Sequence, residues 1–405
     1  MRFCMVTTFY PPYNFGGDGI FVHQLSNELA QRGHQVEVVH CLDAYRFMSG
    51  SLPLSGYQDH PNVTVHGLKS PAGFLSPLVT QQTGGPALKS SQLRAILAKP
   101  FDVIHFHNVS LVGGPKVLAY GRALKLYTLH EYWLVCPTHM LFKFGREVCS
   151  EQACFTCAIA HYRPPQLWRY SSMMEDAMKQ IDLFIAPSEF SMKTHCEMGL
   201  SRPIVELPYF TSRWSEDHSA ESVASTDRPY FLFVGRLEKL KGLQTLIPIF
   251  RRSQNVELRI AGTGEYEAAL RRMATDSPHI KFLGRQSGEQ LRLLYKHAIA
   301  TIVPSIWHEV FGIVILESFT QKTPVIVSNM GGMPKVVQES GGGFVFNTEA
   351  DLVKAMDRLI QEPTLRNRMG ADGYRMLRER WCAEDHIPRY FRFIEQARYM
   401  EHKGQ

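Results

Sequence analysis

Two glutamates, Glu309 and Glu317, stand eight positions apart around the apolar run Val310-Phe311-Gly312-Ile313-Val314-Ile315-Leu316, just after Pro304-Ser305. The pattern predicts a helix whose preceding loop holds Glu309 and which carries Glu317 two turns inside, pointing elsewhere. The amides of Phe311, Gly312 and Ile313 then sit at a helix N-terminus, where backbone donors have no intrahelical acceptor and suit anionic or hydroxyl oxygens. Two carboxylates on an otherwise buried helix are costly unless they meet a ligand or a partner. One such use is a carboxylate on a ribose. A plainer alternative is an acidic residue complementing the helix dipole beside one solvated glutamate.

A second group is cationic. Val234-Gly235-Arg236-Leu237-Glu238-Lys239-Leu240-Lys241-Gly242 lies between a β-rich run and a helical one. Arg236 offers a planar fork of donors and Lys241 a point charge, a pairing that can grip a diphosphate. Two solvated loop cations are the alternative. His130 follows the apolar run Leu126-Tyr127-Thr128-Leu129, and His105 and His107 flank the end of another. His107 reads best as a structural histidine with satisfied ring nitrogens.

Four of the eight cysteines, Cys136, Cys149, Cys154 and Cys157, fall within 22 positions, and Cys154-Phe155-Thr156-Cys157 has the spacing of a metal knuckle. Four thiolates can close a tetrahedral structural zinc site with no open catalytic position. An iron–sulfur cluster uses the same ligands, and free buried thiols are the third reading. In a reducing compartment such clustering points to metal more than to disulfides.

These residues need elements to position them. The start of the chain reads as a strand over residues 3–8, then a Gly-rich loop, Asn14-Phe15-Gly16-Gly17-Asp18-Gly19, then a helix with Phe21, Leu25 and Leu29 on one face, closed by Gly33. Strands follow at Val36–Val39, Val103–Phe106, Leu126–Leu129 and Leu183–Ala186. Ser212 to Thr226 has no apolar period and reads as linker. A second alternating block carries strands at Tyr230–Val234, Val256–Ile260, Ile280–Leu283, Ile299–Val303 and Val325–Val327. Capping-box spacing is present at Ser287 with Gln290 and, in an acidic variant, at Thr348 with Asp351. Alternating strands and helices imply parallel sheets, with ligands at the carboxyl ends of strands.

The chain has 405 residues, 44% of them hydrophobic and 20% charged, with a formal net charge of +6. That length suits two domains. The mild basic excess suits a phosphate-bearing ligand or an anionic surface and does not imply nucleic acid. No stretch reaches the ~20 apolar residues of a membrane-spanning helix, and the apolar start is too short for a signal peptide, so a cytoplasmic location is expected. Gln92–Lys99 and the segment from Arg389 mix basic and apolar residues, a pattern open to peripheral membrane contact but better read as packing.

Taken together, the Gly-Arg-Leu…Lys-Gly stretch, Gly262-Thr263-Gly264-Glu265, Phe282-Leu283-Gly284, the Pro-Ser before the acidic motif and the paired glutamates resemble the family-four retaining glycosyltransferases of the GT-B fold. The Gly16-Gly17 loop and His130 match in the first half. The resemblance implies two Rossmann-like parallel-sheet domains facing a central cleft: an acceptor-side domain over 1–207 with a Cys-rich insert at about 133–168, a linker over 208–229, a donor-binding domain over 230–385, and a C-terminal helix over 386–405 crossing back to the first. It implies that Arg236 and Lys241 bind the donor diphosphate, Glu317 the ribose, and Glu309 with the Phe311, Gly312 and Ile313 amides the transferred sugar. Gly16 and Gly17 would let backbone approach phosphate and acceptor, His130 would face the sugar, and Gly284 and Arg285 would contact the base. The implied activity is transfer of a hexose-type sugar from a UDP- or GDP-sugar to a hydroxyl of a saccharide, lipid-linked or small-molecule acceptor, with retained configuration and no catalytic metal. Rival readings are a catalytically silent nucleotide-sugar-binding module and a nicotinamide oxidoreductase, the latter disfavoured because Gly262-Thr263-Gly264 lacks a third fingerprint glycine. Lys335 departs from the family, many members of which carry Glu there.

Overall fold

The computed structural model describes residues 1–14, 16–48, 53, 56–212, 228–253 and 255–403, the last four without their side chains. Most of the expected linker, residues 213–227, lies outside the described residues. The chain divides into two compact units, one formed by 1–209 with 386–405 and the other by 210–385.

The first unit is built on seven strands: β1 (Arg2–Val6), β2 (Gln35–Cys41), β3 (Val63–Leu68), β4 (Val103–Phe106) and β5 (Leu124–Thr128), then, after a small hairpin of β6 (Phe142–Lys143) and β7 (Glu147–Val148), β8 (Leu183–Ala186) and β9 (Ile204–Glu206). The sheet order is β3-β2-β1-β4-β5-β8-β9, with every pairing parallel. The central strands are buried on both faces, which is why Phe3-Cys4-Met5-Val6 and Val103–Phe106 read as unbroken apolar runs rather than alternating ones. Between β1 and β2 runs the helix Gly17–Gln31, burying Phe21, Val22, Leu25 and Leu29 against the sheet. Each such side chain contributes roughly 1.5–3 kcal/mol of apolar burial.

The second unit has six strands: β10 (Tyr230–Val234), β11 (Glu257–Ala261), β12 (Ile280–Gly284), β13 (Thr301–Val303), β14 (Val325–Ser328) and β15 (Gly343–Phe346). Their order is β12-β11-β10-β13-β14-β15, again all parallel. In each unit the strand order reverses beside the first strand, at β1/β4 and at β10/β13. Loops leaving such neighbouring strands on opposite sides open a crevice at their carboxyl ends.

Thr348 and Asp351 form the reciprocal capping box. Ser287 does occupy the N-cap of Gly288–His297, but its hydroxyl makes no capping bond, so the spacing there marks the boundary without the interaction. β3, β9 and β15 are strands the sequence reading lacks. β15 starts at Gly343, the last residue of a Gly341-Gly342-Gly343 run whose composition resembles that of a turn. A Cβ on Gly343 would lie 2.0 Å from the Val325 carbonyl oxygen, so the third glycine lets β15 approach β14.

Candidate active site

In the second unit the predicted residues gather at the β10/β13 switch point. The turn after β10 carries Arg236 and Lys241; the loop after β13 carries Ser305, Trp307 and Glu309. Glu309 is buried, and three donors converge on its Oε1: Lys241 Nζ at 2.7 Å, Ser305 Oγ at 2.7 Å and the Trp307 indole Nε1 at 3.0 Å. Lys241 also lies over the Trp307 ring, 5.3 Å from its centroid. Arg236 is more exposed and pairs with Glu238.

Two glycines shape this loop cluster. Gly242 has a φ of 74°, and a Cβ there would lie 1.8 Å from the Pro304 carbonyl oxygen; Gly331, with φ of 69°, would collide with the Glu309 backbone at 2.1 Å. Neither position tolerates a side chain without moving the strand-end loops that aim Lys241 and Glu309. The Gly332 amide donates to the Glu309 carbonyl at 2.7 Å, tying the loop after β14 to the same residue.

The helix Ile313–Thr320 begins after Gly312, which caps it at a φ of 92°. Glu317 is therefore the fifth helical residue, just over one turn inside rather than two. It is buried, and the Tyr295 hydroxyl donates to its Oε2 at 2.9 Å. Phe311 is buried and Ile313 starts the helix. Gly284 ends β12 at a φ of 66°, and Arg285 beside it is exposed. Lys335 sits on Met333–Ser340 and faces Glu339 at 3.7 Å, a half-exposed pair.

In the first unit Gly16 caps the helix Gly17–Gln31 in extended backbone. The steric demand for glycine falls three positions later: a Cβ on Gly19 would lie 2.4 Å from Asn14 Oδ1 and 2.9 Å from the Phe9 carbonyl. His130 follows β5 and is buried in a chain of rings. Its Nδ1 is 2.6 Å from the Tyr209 hydroxyl and its Nε2 2.9 Å from His107 Nδ1. His107 is fully engaged on one side only; its Nε2 is buried with no partner among the described residues, so it is not the satisfied structural histidine expected. Next to it, His105 bonds Tyr390 at 2.9 Å and Thr128 at 2.8 Å. Burial pushes His130 down to about 3 and holds His105 and His107 well below the ordinary imidazole range, so the cluster is neutral.

Sequence reasoning missed Ser305 and Trp307 as partners of Glu309, Tyr295 as the partner of Glu317, and the His107–His130–Tyr209 chain. Ser305 and Trp307, four and two residues before Glu309, were local signals; the other partners are brought together only by the fold.

The four clustered cysteines lie in the segment after His130. Cys136 and Cys157 are buried, Cys149 and Cys154 partly so, and all are unpaired. Among the described residues no three His, Cys, Asp or Glu side chains converge closely enough to hold a metal ion. Leu93 and Leu97 of the helix Ser90–Leu97 are buried, as are Tyr390 and Ile394, so these apolar residues of the two basic–apolar segments are used in packing, while Tyr399 is exposed. Among the described residues no helix is long and apolar enough to cross a membrane.

Two family profiles match the chain: Glycosyltransferase Family 4 over residues 15–209 and Glycosyl transferases group 1 over residues 215–376. An uncharacterised glycosyltransferase of Methanocaldococcus jannaschii is 26% identical over 380 residues, covering 89% of this chain and 90% of its own. The D-inositol 3-phosphate glycosyltransferase of Pseudarthrobacter chlorophenolicus is 26% identical over 381 residues, with 88% and 84% covered. Among solved structures, sucrose-phosphate synthase from Thermosynechococcus elongatus superposes with a TM-score of 0.75 at 18% identity, covering 98% of both chains. Anabaena HepE in complex with UDP-glucose gives 0.66 at 16% identity, covering 98% of this chain and all of its own.

Proposed function

We propose, for a chain that belongs to the family-four glycosyltransferases of the GT-B fold, that it moves a hexose-type sugar from a nucleoside-diphosphate donor to an acceptor hydroxyl with retention of anomeric configuration. The observation that carries this reading is the convergence of Lys241, Ser305 and Trp307 on Glu309 at the β10/β13 switch point. HepE, solved with UDP-glucose, supports the choice of donor class by likeness of fold.

A nucleoside diphosphate is a good leaving group, so the protein needs charge stabilisation on the departing oxygens more than a strong acid. Arg236 and Lys241 supply cations there, and the Phe311, Gly312 and Ile313 amides supply oriented donors. Glu309 binds the transferred sugar. With Oε1 occupied by three donors, Oε2 is the oxygen that accepts a sugar hydroxyl. A carboxylate held in this way is poorly placed as a covalent nucleophile, and retaining double displacement calls for two carboxyl groups about 5 Å apart. This favours same-face attack in which the leaving phosphate takes the acceptor proton. Glu317 holds the ribose hydroxyls, kept in place by Tyr295, and Gly284 with Arg285 meets the base. In the first unit, the family resemblance gives the acceptor-side roles to His130, a neutral ring, and to the Gly16-Gly17 loop. The acceptor is a saccharide, a lipid-linked or a small-molecule alcohol, met in the cytoplasm.

The test is a binding panel of UDP- and GDP-sugars followed by assay of nucleoside diphosphate release with candidate acceptors. Tight binding of one nucleotide sugar with turnover supports the reading. Binding with no release by any acceptor, or by water, replaces it with a silent binding module. No binding at all removes the donor-site assignment.

A further inference from the structure

The first unit holds a row of rings whose hydrogen bonds leave one nitrogen over. His107 directly follows β4, and its amide donates to the Val6 carbonyl at 2.9 Å, so it keeps its place beside β1. His130 stands shortly beyond β5, and Tyr209 beyond β9. The three side chains meet end to end. The Tyr209 hydroxyl lies 2.6 Å from His130 Nδ1, and His130 Nε2 lies 2.9 Å from His107 Nδ1. Their rings also stack, with His130 at 5.1 Å from His107 and 5.5 Å from Tyr209 between centroids. The row is braced at both ends. His105 packs on His107 at 4.1 Å, and its own nitrogens are bonded to Tyr390 and Thr128. Phe21 packs on Tyr209 at 4.7 Å.

Burial keeps the three imidazoles neutral. A neutral imidazole carries one N–H and one lone pair, so each bond in the row sets the direction of the next. Two orders satisfy both bonds. In one, Tyr209 donates to His130 Nδ1, His130 donates from Nε2 to His107 Nδ1, and the proton of His107 is left on Nε2. In the other, His107 donates from Nδ1 to His130 Nε2, His130 donates from Nδ1 to the Tyr209 oxygen, and His107 Nε2 bears only a lone pair. His107 Nε2 is buried and has no hydrogen-bond partner among the described residues. A buried N–H without an acceptor is rarer than an unfilled acceptor, and the second order avoids it. The Tyr209 oxygen can accept while its hydroxyl proton turns elsewhere.

We propose that His107 is a positioning residue that fixes His130 as the neutral Nδ1–H tautomer, with Tyr209 accepting at the other end. The inference rests on the proposed sugar transfer only for its kinetic consequence, because the tautomer belongs to the protein without substrate. With both nitrogens committed to protein partners, His130 is a fixed, uncharged ring and not a titrating base. All the protons of the row stay in place.

Nitrogen-15 spectra of the full chain labelled in histidine test this, with the His130 signals assigned by their absence from His130→Gln. A protonated Nδ1 and a bare Nε2 are expected for His130 at neutral pH. His107→Asn keeps an amide donor near the place of Nδ1 and should preserve that tautomer. His107→Leu removes the donor and should release it, giving an Nε2–H or mixed signal. With nucleotide sugar and acceptor, His107→Leu should lower turnover by roughly tenfold, the scale of one neutral hydrogen bond, at an unchanged KM for the donor, and His107→Asn should recover most of that loss. An Nε2–H tautomer or a doubly protonated His130 in the wild-type chain overturns the proposal. So does an unchanged tautomer, or wild-type turnover, in His107→Leu. Should no nucleotide sugar bind, the transfer reading fails while the spectra still decide the tautomer. The wild-type spectrum stands even if a variant fails to fold.

Discussion

The carboxyl ends of the two sheets are built in opposite electrostatic styles. At β10/β13 the groups are charged and already bonded, with Lys241 on Glu309 and Tyr295 on Glu317. Beyond β4 and β5 they are neutral rings, His107, His130 and Tyr209, kept uncharged by burial. The same sheet architecture thus supplies an ionic crevice in one unit and a hydrogen-bonding, uncharged wall in the other. The difference shows that topology selects where chemistry gathers, while local burial selects its charge state.

The contrast breaks most sharply in the ionic crevice. Glu309→Ala and Lys241→Ala should each lower the turnover rate by about 10³-fold, on the scale of a lost transition-state donor, measured as release of nucleoside diphosphate. Near-wild-type rates in both would detach the crevice from catalysis. Next comes the neutral wall. Burial holds His130, and likewise buried His386, whose Nδ1 bonds the Pro208 carbonyl at 2.8 Å, down at about 3 against an ordinary 6.5. The unfolded chain therefore binds more protons between those values, and stability must fall as pH drops through that window. The loss is about 1.4 kcal/mol per pH unit for each such group. Thermal melts should fall clearly from pH 7.5 to 5, and a flat melting temperature would mean these rings are not held neutral.

A smaller effect is expected at Tyr295→Phe, which removes the donor to buried Glu317. A loss of about 1–2 kcal/mol should appear chiefly as weaker donor binding, seen in titration with the nucleotide sugar. The smallest is Lys335→Ala. Its half-exposed pair with Glu339 is worth less than about 0.5 kcal/mol to stability, so a melt indistinguishable from wild type is the expected result.

The sequence made the central strands legible because double-sided burial leaves apolar runs that cannot be mistaken for solvated loops. It made Glu309, Glu317, Arg236 and Lys241 legible because they sit at short fixed distances from those runs. Edge strands escaped notice: β3 is partly exposed, β9 has three residues, and β15 opens on a glycine that looks like a turn until β14 is beside it. The bonding partners escaped for the same reason. Tyr295 reaches Glu317 across 22 positions, and Tyr209 reaches His130 across 79. No local period encodes such meetings; the sheet order creates them.

Both cations of the ionic crevice hold a carboxylate, Lys241 with Glu309 and Arg236 with Glu238. On the proposed function, docking of a diphosphate would be an exchange of one anion for another, not an addition of charge to bare cations. Two consequences follow for solution behaviour. Affinity should depend on ionic strength less steeply than a count of the cations suggests. The glutamates loosened by the exchange become hydroxyl acceptors, so the arriving phosphate itself readies the crevice for the sugar it carries.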